Sequence, residues 1–392
     1  MYAMPPAVWI ATSEDLSQAL AWLSESDFVA LDTEFMRERT YYATLCLIQA
    51  ATRTHCVLID PIAIEDLTPL WQFLEDRRRI KVLHSARQDL EVLSLASGRS
   101  KDDAPDAPRI PARIPGPLFD TQIAAALLGS PAQIGYATLV AERLQHSLPK
   151  GQTRTDWSRR PLSNEQLTYA ADDVRYLVEL YEALRNALSE RGRLEWQAED
   201  AAELENPALY RLEPEDAWRR LKGLDRLQPQ QRATAKVLAE WREARAMRKD
   251  RPRGWILSDE SLREIAEALP QTVEDLERIR SLSANFLRKK SDEILELVKR
   301  GIGNAANERA AFVPSRPDPR EQALVTRLLT MIREEAARSR IAPELLATRR
   351  DVEQLVFGGR SEHLLRGWRS AVIGERLVRA ASEGLQAIRQ PA

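Results

Sequence analysis

Two acidic residues near the amino terminus have a spacing that could hold a divalent cation. Asp32 ends the strand-like run Phe28–Asp32, and Glu34 follows two residues later. Because side chains alternate along a strand, Asp32 and Glu34 project from one face and Thr33 from the other. Two neighbouring carboxylates repel each other unless a cation lies between them. A lone pair with this spacing is nevertheless more typical of exposed acids at a strand end.

Three further residues could complete such a site. Asp89 lies in HSARQDLEVL, at the start of a predicted helix, where an acid commonly stabilises the helix dipole. Tyr169 and Asp173 are four residues apart in YAADDVRYL, and the helical periodicity of this segment places both on one helix face. Asp172 is rotated about a quarter turn away and is expected to face solvent or to cap a neighbour. Each motif alone is a weak signal, because acids and tyrosines are common on helix surfaces.

The elements that must position these residues form a mixed α/β pattern. Four short runs rich in Val, Ile and Leu predict strands: Phe28–Asp32, Thr44–Ala50, His55–Ile59 and Ile80–Leu83. Polar breaks between the first three predict an antiparallel meander. Helical periodicity follows at 64–76, 86–96, 121–128, 136–144 and 163–189. We therefore predict a sheet flanked by helices, with a Pro-rich surface loop at 97–117.

The chain becomes purely helical from about residue 206. Amphipathic segments at 228–248, 259–268, 273–279 and 285–300 precede a Gly- and Pro-containing break at 301–319, and a further helical stretch begins at Arg320. The pattern predicts three domains, at 1–205, 206–302 and 318–392. Between the two helical segments we find no strong residue-level repeat.

The composition indicates a soluble globular protein. Charged residues make up 30% of the chain and the net charge is −2, which argues against a surface that coats nucleic acid over its whole area but permits local basic tracts. The first residues lack the pattern of a signal peptide, and no apolar run approaches the roughly 18 residues of a membrane span. Cys46 and Cys56 are expected to be buried and reduced. From these absences we expect a cytoplasmic location and no membrane association.

Together the motifs resemble those of the DEDD superfamily of 3′–5′ exonucleases in order, spacing and local structure. The Y-x-x-x-D form is similar to the tyrosine subgroup, and the flanks FVALDTEFMRERTYYATLCLIQ, LFDTQIAAALLG and RTDWSRRPLSNEQLTYAADDVRYL resemble the ribonuclease D family over residues 8–190. Residues 227–300 resemble an HRDC domain, a helical module of helicases and ribonuclease D. The segment after Arg320 is similar to a second, degenerate one.

The resemblance implies a ribonuclease H-like exonuclease fold and an exoribonuclease that releases nucleoside 5′-monophosphates with two Mg²⁺ or Mn²⁺ ions. It implies that Asp32, Glu34 and Asp173 hold one ion, and that Asp32 and Asp89 hold the other. Tyr169 would orient the attacking water, because a phenol with a pKa near 10 suits positioning better than proton abstraction at neutral pH. All five residues are therefore predicted to be catalytic.

The resemblance also implies an RNA substrate with a single-stranded 3′ end, tRNA precursors foremost, and we expect a monomer. The loop before the last motif contains Lys150, Arg154, Arg159 and Arg160, interleaved with Trp157, and these residues are predicted to contact phosphates or stack on a base. Solvated loop charges are an equally good interpretation. Two alternative functions stay open: a DNA 3′–5′ exonuclease, and a catalytically inactive RNA-binding protein.

Other polar residues have structural interpretations at the sequence level. Asp120 is expected to cap a helix, and His84 is expected to be a hydrogen-bonded neighbour of the site because hard Mg²⁺ disfavours imidazole. The run 241–253 carries six Lys or Arg against two acids and suits a phosphate-contacting patch. A solvated helix face explains that run equally well.

Overall fold

One mixed sheet of six strands lies at the centre of the amino-terminal part. The computed structural model describes residues 4–98, 111–148, 155–211, 213–306, 318–358 and 361–389. Its strands are β1 (Ala7–Ile10), β2 (Phe28–Met36), β3 (Thr44–Ala51), β4 (Cys56–Ile59), β5 (Ile80–Leu83) and β6 (Leu118–Asp120). The spatial order is β1-β4-β3-β2-β5-β6. Strands β2, β3 and β4 form the predicted antiparallel meander, and the other three pair in parallel.

The sequence analysis did not predict the two edge strands, β1 and β6. Strand β1 has four residues and β6 has three, which is too short for apolar alternation to stand out from a loop. Both form by parallel pairing, β1 with β4 and β6 with β5. Their identity as strands is therefore decided by the neighbouring strand rather than by local sequence.

In the described part of the chain, seven helices flank this sheet, and together with it they form what we call the sheet domain. They are α1 (Ser13–Leu23), α2 (Thr68–Glu75), α3 (Arg87–Ser97), α4 (Thr121–Leu127), α5 (Tyr136–Leu144), α6 (Asn164–Glu190) and α7 (Leu194–Glu203). Along β2, Phe28 and Ala30 belong to the core that contains α6, whereas Val29 and Leu31 belong to the core that contains α1 and α3. The predicted alternation is confirmed, and it directs the even-numbered side chains of β2 towards α6.

Two helical modules follow, after short 3₁₀ segments at Pro207–Leu209, Pro214–Arg220 and Leu224–Arg226. The first module contains α8 (Pro229–Lys249), α9 (Arg253–Ile256), α10 (Asp259–Ala268), α11 (Val273–Glu277) and α12 (Ala284–Gly303). The second contains α13 (Pro319–Ser339), α14 (Pro343–Leu346), α15 (Arg349–Phe357), a 3₁₀ turn at His363–Leu365, α16 (Gly367–Arg369), a π turn at Ser370–Gly374 and α17 (Glu375–Arg389). No helix in the described residues is long and apolar enough to cross a membrane.

The two modules repeat one another in structure, although the sequence shows no strong residue-level repeat between them. Helices α13 and α14 start 90 residues after α8 and α9 (319 against 229, 343 against 253) and have equal lengths. The left-handed caps Asp250 and Arg340 and the N-caps Ser258 and Thr348 keep the same offset. The repeat is carried by caps and buried positions whose residue types differ, so the letters alone concealed it.

Both modules pack against the sheet domain. At the first module, the Asp250 carboxylate accepts hydrogen bonds from the backbone N–H groups of Tyr41 and Tyr42, at 2.9 and 3.1 Å. At the second, the Arg369 guanidinium donates two hydrogen bonds to the buried Asp200 carboxylate on α7, at 2.5 and 2.8 Å. These contacts hold both modules against the sheet domain, which also carries the candidate site.

Candidate active site

The structure brings together three carboxylates that are far apart in sequence. Asp32 and Glu34 on β2 and Asp173 on α6 each offer an oxygen, and these three oxygens lie within 4.8 Å of one another. This arrangement follows from the alternation along β2, which points both acids at the helix that covers that face of the sheet. The sequence prediction that Asp32, Glu34 and Asp173 meet is therefore realised in the fold.

Helix α6 presents Tyr169 and Asp173 to the sheet at a fixed height. A capping box at Ser163 and Gln166 sets where the helix begins, so Asp173 lies about two turns further along. Near that point, the hydroxyl of the half-buried Tyr136 on α5 donates to the main-chain oxygen of Asp173 at 2.6 Å. Tyr136 therefore ties α5 to the turn of α6 that carries the carboxylate, a role that its sequence context did not reveal.

Asp89 approaches from the other side of β2. It lies in the first turn of α3, is 8% exposed, and accepts a 2.6 Å hydrogen bond from the Thr33 hydroxyl. Thr33 projects from β2 on the face opposite Asp32, as the alternation requires. Asp89 is outside the 4.8 Å group of three carboxylates, yet its charge is the second largest cause that raises the pKa of Asp32. The fourth acid thus borders the cluster.

The pKa values of all four carboxyl groups are raised. Burial, followed by the charges of Asp173 and Asp89, raises the pKa of Glu34 to about 8. Burial likewise raises the pKa of Asp173 to about 7 and that of Asp89 to about 6, although hydrogen bonds from Tyr169 and Thr33 oppose these shifts. Burial and the three neighbouring acids raise the pKa of Asp32 well above its usual value. Four carboxylates in one place are stable either protonated or with cations between them.

Tyr169 is suited to orient a bound molecule by hydrogen bonding rather than to remove a proton from it. Its hydroxyl hydrogen-bonds the Asp173 carboxylate, and burial followed by the charges of Asp173, Glu34 and Asp32 raises the pKa of the phenol. A phenol that is harder to ionise stays a hydrogen-bond donor at neutral pH. The Trp157 ring lies against Tyr169, with 6.1 Å between centroids, and limits its movement.

The cluster fits a hard divalent cation. Mg²⁺ and Mn²⁺ prefer carboxylate oxygens, and Asp32, Glu34 and Asp173 supply them from a shared position. A cation there would reverse the electrostatic causes that raise these pKa values, because a positive charge favours the ionised carboxylate. Within the described residues, no other group of His, Cys, Asp and Glu side chains has a geometry that could hold a metal ion.

The predicted substrate-binding loop needs correction. Trp157 is only 1% exposed and lies in the core, so its indole is not available to stack on a base. Arg160, also considered for phosphate contact, forms two 2.7 Å hydrogen bonds with the Asp60 carboxylate and anchors the loop. Arg159 is exposed and stays a candidate. Lys150 and Arg154 lie outside the described residues. Loop charge alone could not separate these roles, because each depends on which side chain finds a buried partner.

Both neighbouring polar residues have the structural roles predicted for them. Asp120 caps α4 and also accepts hydrogen bonds from the N–H groups of Ser85 and Ala86, at 3.2 and 2.8 Å. These bonds hold the left-handed turn at Ser85 that precedes α3, so Asp120 positions the helix that carries Asp89. The His84 ring is within hydrogen-bond distance of the Thr121 hydroxyl and a backbone oxygen through its two nitrogens, which leaves no nitrogen for a metal.

The basic run of the first module is only partly available to a ligand. Arg242 is 3% exposed and contacts the Leu257 carbonyl and Asp259, and Arg245 pairs with Glu293. These two arginines therefore hold the module together, and neither of the two interpretations of the run, a phosphate-contacting patch or a solvated helix face, describes them. Arg253, at the end of the run, lines a cavity where the first module meets the sheet domain.

Comparisons with known proteins agree with this site and fold. Residues 7–189 match the family described as 3′-5′ exonuclease, and residues 231–298 match the family described as HRDC domain. A ribonuclease D of Acidiphilium cryptum is 38% identical over 96% of this chain and 93% of its own. One from Pseudomonas paraeruginosa is 36% identical over 97% and 99%. The crystal structure of Escherichia coli RNase D superposes with a TM-score of 0.81 at 30% identity, covering 96% of this chain and 99% of that one.

A mixed sheet with an acidic cluster between β2 and α6, followed by an HRDC domain, defines a 3′–5′ exonuclease of the DEDD kind with an appended helical module. The near full-length relatives specify it further. The chain belongs to the ribonuclease D family of 3′–5′ exoribonucleases. The predictions of fold class, family and enzyme class are therefore confirmed.

Proposed function

We propose that this ribonuclease D removes nucleotides one at a time from RNA 3′ ends with two divalent cations, releasing nucleoside 5′-monophosphates. The observation that supports this is the carboxylate group of Asp32, Glu34 and Asp173, whose oxygens share one 4.8 Å neighbourhood and whose pKa values are raised. Asp89 borders that group from α3 and completes the set of four acids. When bound, Mg²⁺ or Mn²⁺ supplies the positive charge that activates water and stabilises the departing oxygen.

Each residue then has a distinct task. Asp32, Glu34 and Asp173 would hold one cation, and Asp32 and Asp89 would hold the second. The Thr33 hydroxyl keeps the Asp89 carboxylate turned to β2 by occupying one of its oxygens, which leaves the other for the cation. Tyr169, whose pKa is raised and whose phenol therefore stays protonated, would orient the attacking water by hydrogen bonding.

The proposed substrate is structured RNA with a single-stranded 3′ end, and tRNA precursors are the first candidates. The E. coli relative is described as an exoribonuclease involved in structured RNA processing, and it covers nearly the whole of this chain. The relatives favour RNA over the alternative of a DNA exonuclease, and the full set of acids favours an active enzyme over an RNA-binding scaffold. Matched RNA and DNA oligomers distinguish the first pair of alternatives directly.

We further propose that residues 318–392 form a second, degenerate HRDC domain after one at 206–302. The constant offset of 90 residues between helix starts and caps supports this division. A monomer in the cytoplasm is also part of the proposal, and the buried free thiols Cys46 and Cys56 fit a reducing compartment. Sedimentation of the purified chain and fractionation of cells would test these two points.

The decisive experiment incubates the full-length protein with a 3′-extended tRNA precursor and sizes the products. We expect mononucleotides and a shortened RNA with Mg²⁺, and no cleavage after addition of EDTA. Asp173→Asn should abolish cleavage but leave RNA binding largely intact. Asp172→Asn is the matched control, because Asp172 pairs with Arg175 and lies outside the carboxylate group. Turnover by Asp173→Asn at the rate of the control would remove the assignment.

A further inference from the structure

We propose that the junction between the sheet domain and the first helical module is a second RNA site, which binds the single strand a few nucleotides before its 3′ end. A cavity of about 430 Å³ opens there. Its lining includes Arg37 from the loop after β2, Arg220 from the 3₁₀ segment Pro214–Arg220, and Arg253 from the start of α9. Three segments of the chain thus bring three guanidinium groups to one opening.

The cavity is a neighbour of the active site. Arg37 is three residues after Glu34, and a strand advances about 3.3 Å per residue, so the two lie roughly 10 Å apart. Glu91, which also lines the cavity, is two residues after Asp89 on α3. A strand whose 3′-terminal phosphate lies at the carboxylate group can therefore reach this opening with its next few nucleotides.

The arginines are held in place but retain donors for a ligand. Arg220 and Arg253 each donate one hydrogen bond, at 2.9 and 3.1 Å, to the same oxygen of Glu243, whose side chain is 2% exposed. The Tyr41 hydroxyl donates to this oxygen as well. One carboxylate cannot neutralise two guanidinium groups, and each guanidinium has five N–H donors. The pair therefore keeps a net positive charge and free donor capacity, which suits a phosphodiester.

The remaining lining charges are weakly paired. Arg37 contacts Glu91 at 3.3 Å, and their side chains are 39% and 24% exposed, so a phosphate could replace this contact at little cost. The Arg37 Nε also donates to the Tyr41 carbonyl at 3.1 Å, which keeps the side chain directed along the loop. Glu38 lines the cavity too, so Glu38, Glu91 and Glu243 equal the three arginines in charge, and the site would bind through directed guanidinium donors rather than through an excess of positive charge.

An exposed aromatic ring lies close to Arg253 along the chain. Trp255, two residues after Arg253 on α9, is 60% exposed, the largest value among the big apolar side chains of the described residues. The Arg251 guanidinium lies 5.7 Å from its ring centroid and leaves the indole at the surface. Proteins that bind single-stranded nucleic acids combine positively charged side chains with aromatic rings on which bases stack. Trp255 does not line the cavity itself, so a base would stack at its edge. Phosphate and base contacts would thus be supplied by the same junction.

The test measures binding of fluorescent oligoadenylates to full-length Asp173→Asn protein with Mg²⁺, over a range of salt concentrations. Arg220→Gln should weaken binding of an octanucleotide about tenfold, because one charge-assisted contact is lost. It should also reduce the slope of log K against log salt by about 0.7, the value for one phosphate on a single strand. Arg37→Gln should do the same from the other side of the cavity, which keeps the test valid if either variant folds poorly.

Matched variants separate this site from general electrostatics. Arg219→Gln removes the neighbouring cation, which pairs with Asp216 and does not line the cavity, and should leave both quantities unchanged. Trp255→Ala should weaken octanucleotide binding about tenfold without changing the salt slope, and Trp255→Phe should restore most of it. Each loss should shrink with a dinucleotide, which is too short to reach the junction.

Two results would overturn the proposal. One is a full salt slope and affinity in both Arg220→Gln and Arg37→Gln. The other is an equal loss in Arg219→Gln, which would show that any nearby cation suffices. The proposal rests on the ribonuclease activity for the direction of the strand, yet binding is measured without cleavage. Failure of the junction therefore leaves the carboxylate site untouched, and failure of the carboxylate site appears instead as cleavage that survives EDTA.

Discussion

Glu34 should destabilise the metal-free protein at neutral pH, and Glu34→Gln should relieve this cost. Its pKa rises from 4.5 to about 8 on folding. The folded state then binds more protons than the unfolded state between these values, so stability falls as pH rises through this window. Between about pH 5 and about pH 7.5 the difference amounts to roughly 3 kcal/mol, at 1.36 kcal/mol per unit. Glutamine does not titrate, so the variant should lack this part of the pH dependence.

Hydrogen exchange of the peptide containing β2 (Phe28–Met36), after EDTA treatment, measures this effect locally in a protein with several domains. Going from the lower to the higher pH, the protection factor of the wild type should fall about a hundredfold further than that of Glu34→Gln. Adding Mg²⁺ should restore protection in the wild type and much less in the variant. Glu38→Gln, at an exposed position beyond the strand, is the control and should follow the wild type. Parallel curves for wild type and Glu34→Gln would refute the electrostatic account of the cluster.

Two further predictions concern residues that position the site and the second module. Tyr136→Phe removes the 2.6 Å hydrogen bond to the Asp173 carbonyl and should lower kcat about tenfold with little change in KM, while raising the Mg²⁺ concentration at half-maximal activity; an unchanged metal requirement would contradict this role. Asp200→Asn leaves the buried Arg369 without its anionic partner and should destabilise docking of the second module by about 3–5 kcal/mol, seen as faster proteolysis after residue 318. Glu203→Gln, exposed on the same helix, is its control, and equal proteolysis of the two variants would refute the prediction.

Much of the candidate site was predictable because it depends on local rules. Alternation along a strand placed Asp32 and Glu34 on one face, and helical spacing placed Tyr169 and Asp173 on another. The meander of β2, β3 and β4 followed from apolar runs separated by short polar breaks. Local rules could not predict that these two faces lie against each other in the folded chain. That part of the prediction relied on the resemblance of the combined motifs to a known family.

The loop and the helical modules show where residue type misleads. Trp157 and Arg160 are residue types that often contact nucleic acids. In the structure, however, Trp157 is buried in the core and Arg160 pairs with Asp60. The repeat between the modules was not recognised in the sequence because it consists of a constant spacing of caps and buried positions, at which residue types can differ. Tyr136 gave no signal, since its function comes from a contact with a helix more than thirty residues away.

The sequence by itself determined the strands of the meander, the long helices and which side chains share a face, because periodicity and capping act over a few residues. The tertiary structure decided which acids share an oxygen neighbourhood, which arginines have buried partners, and where the first module meets the sheet domain. These outcomes depend on burial and on charges brought close by folding. The energies of both depend on distances in space between groups, and separation along the chain carries no information about those distances.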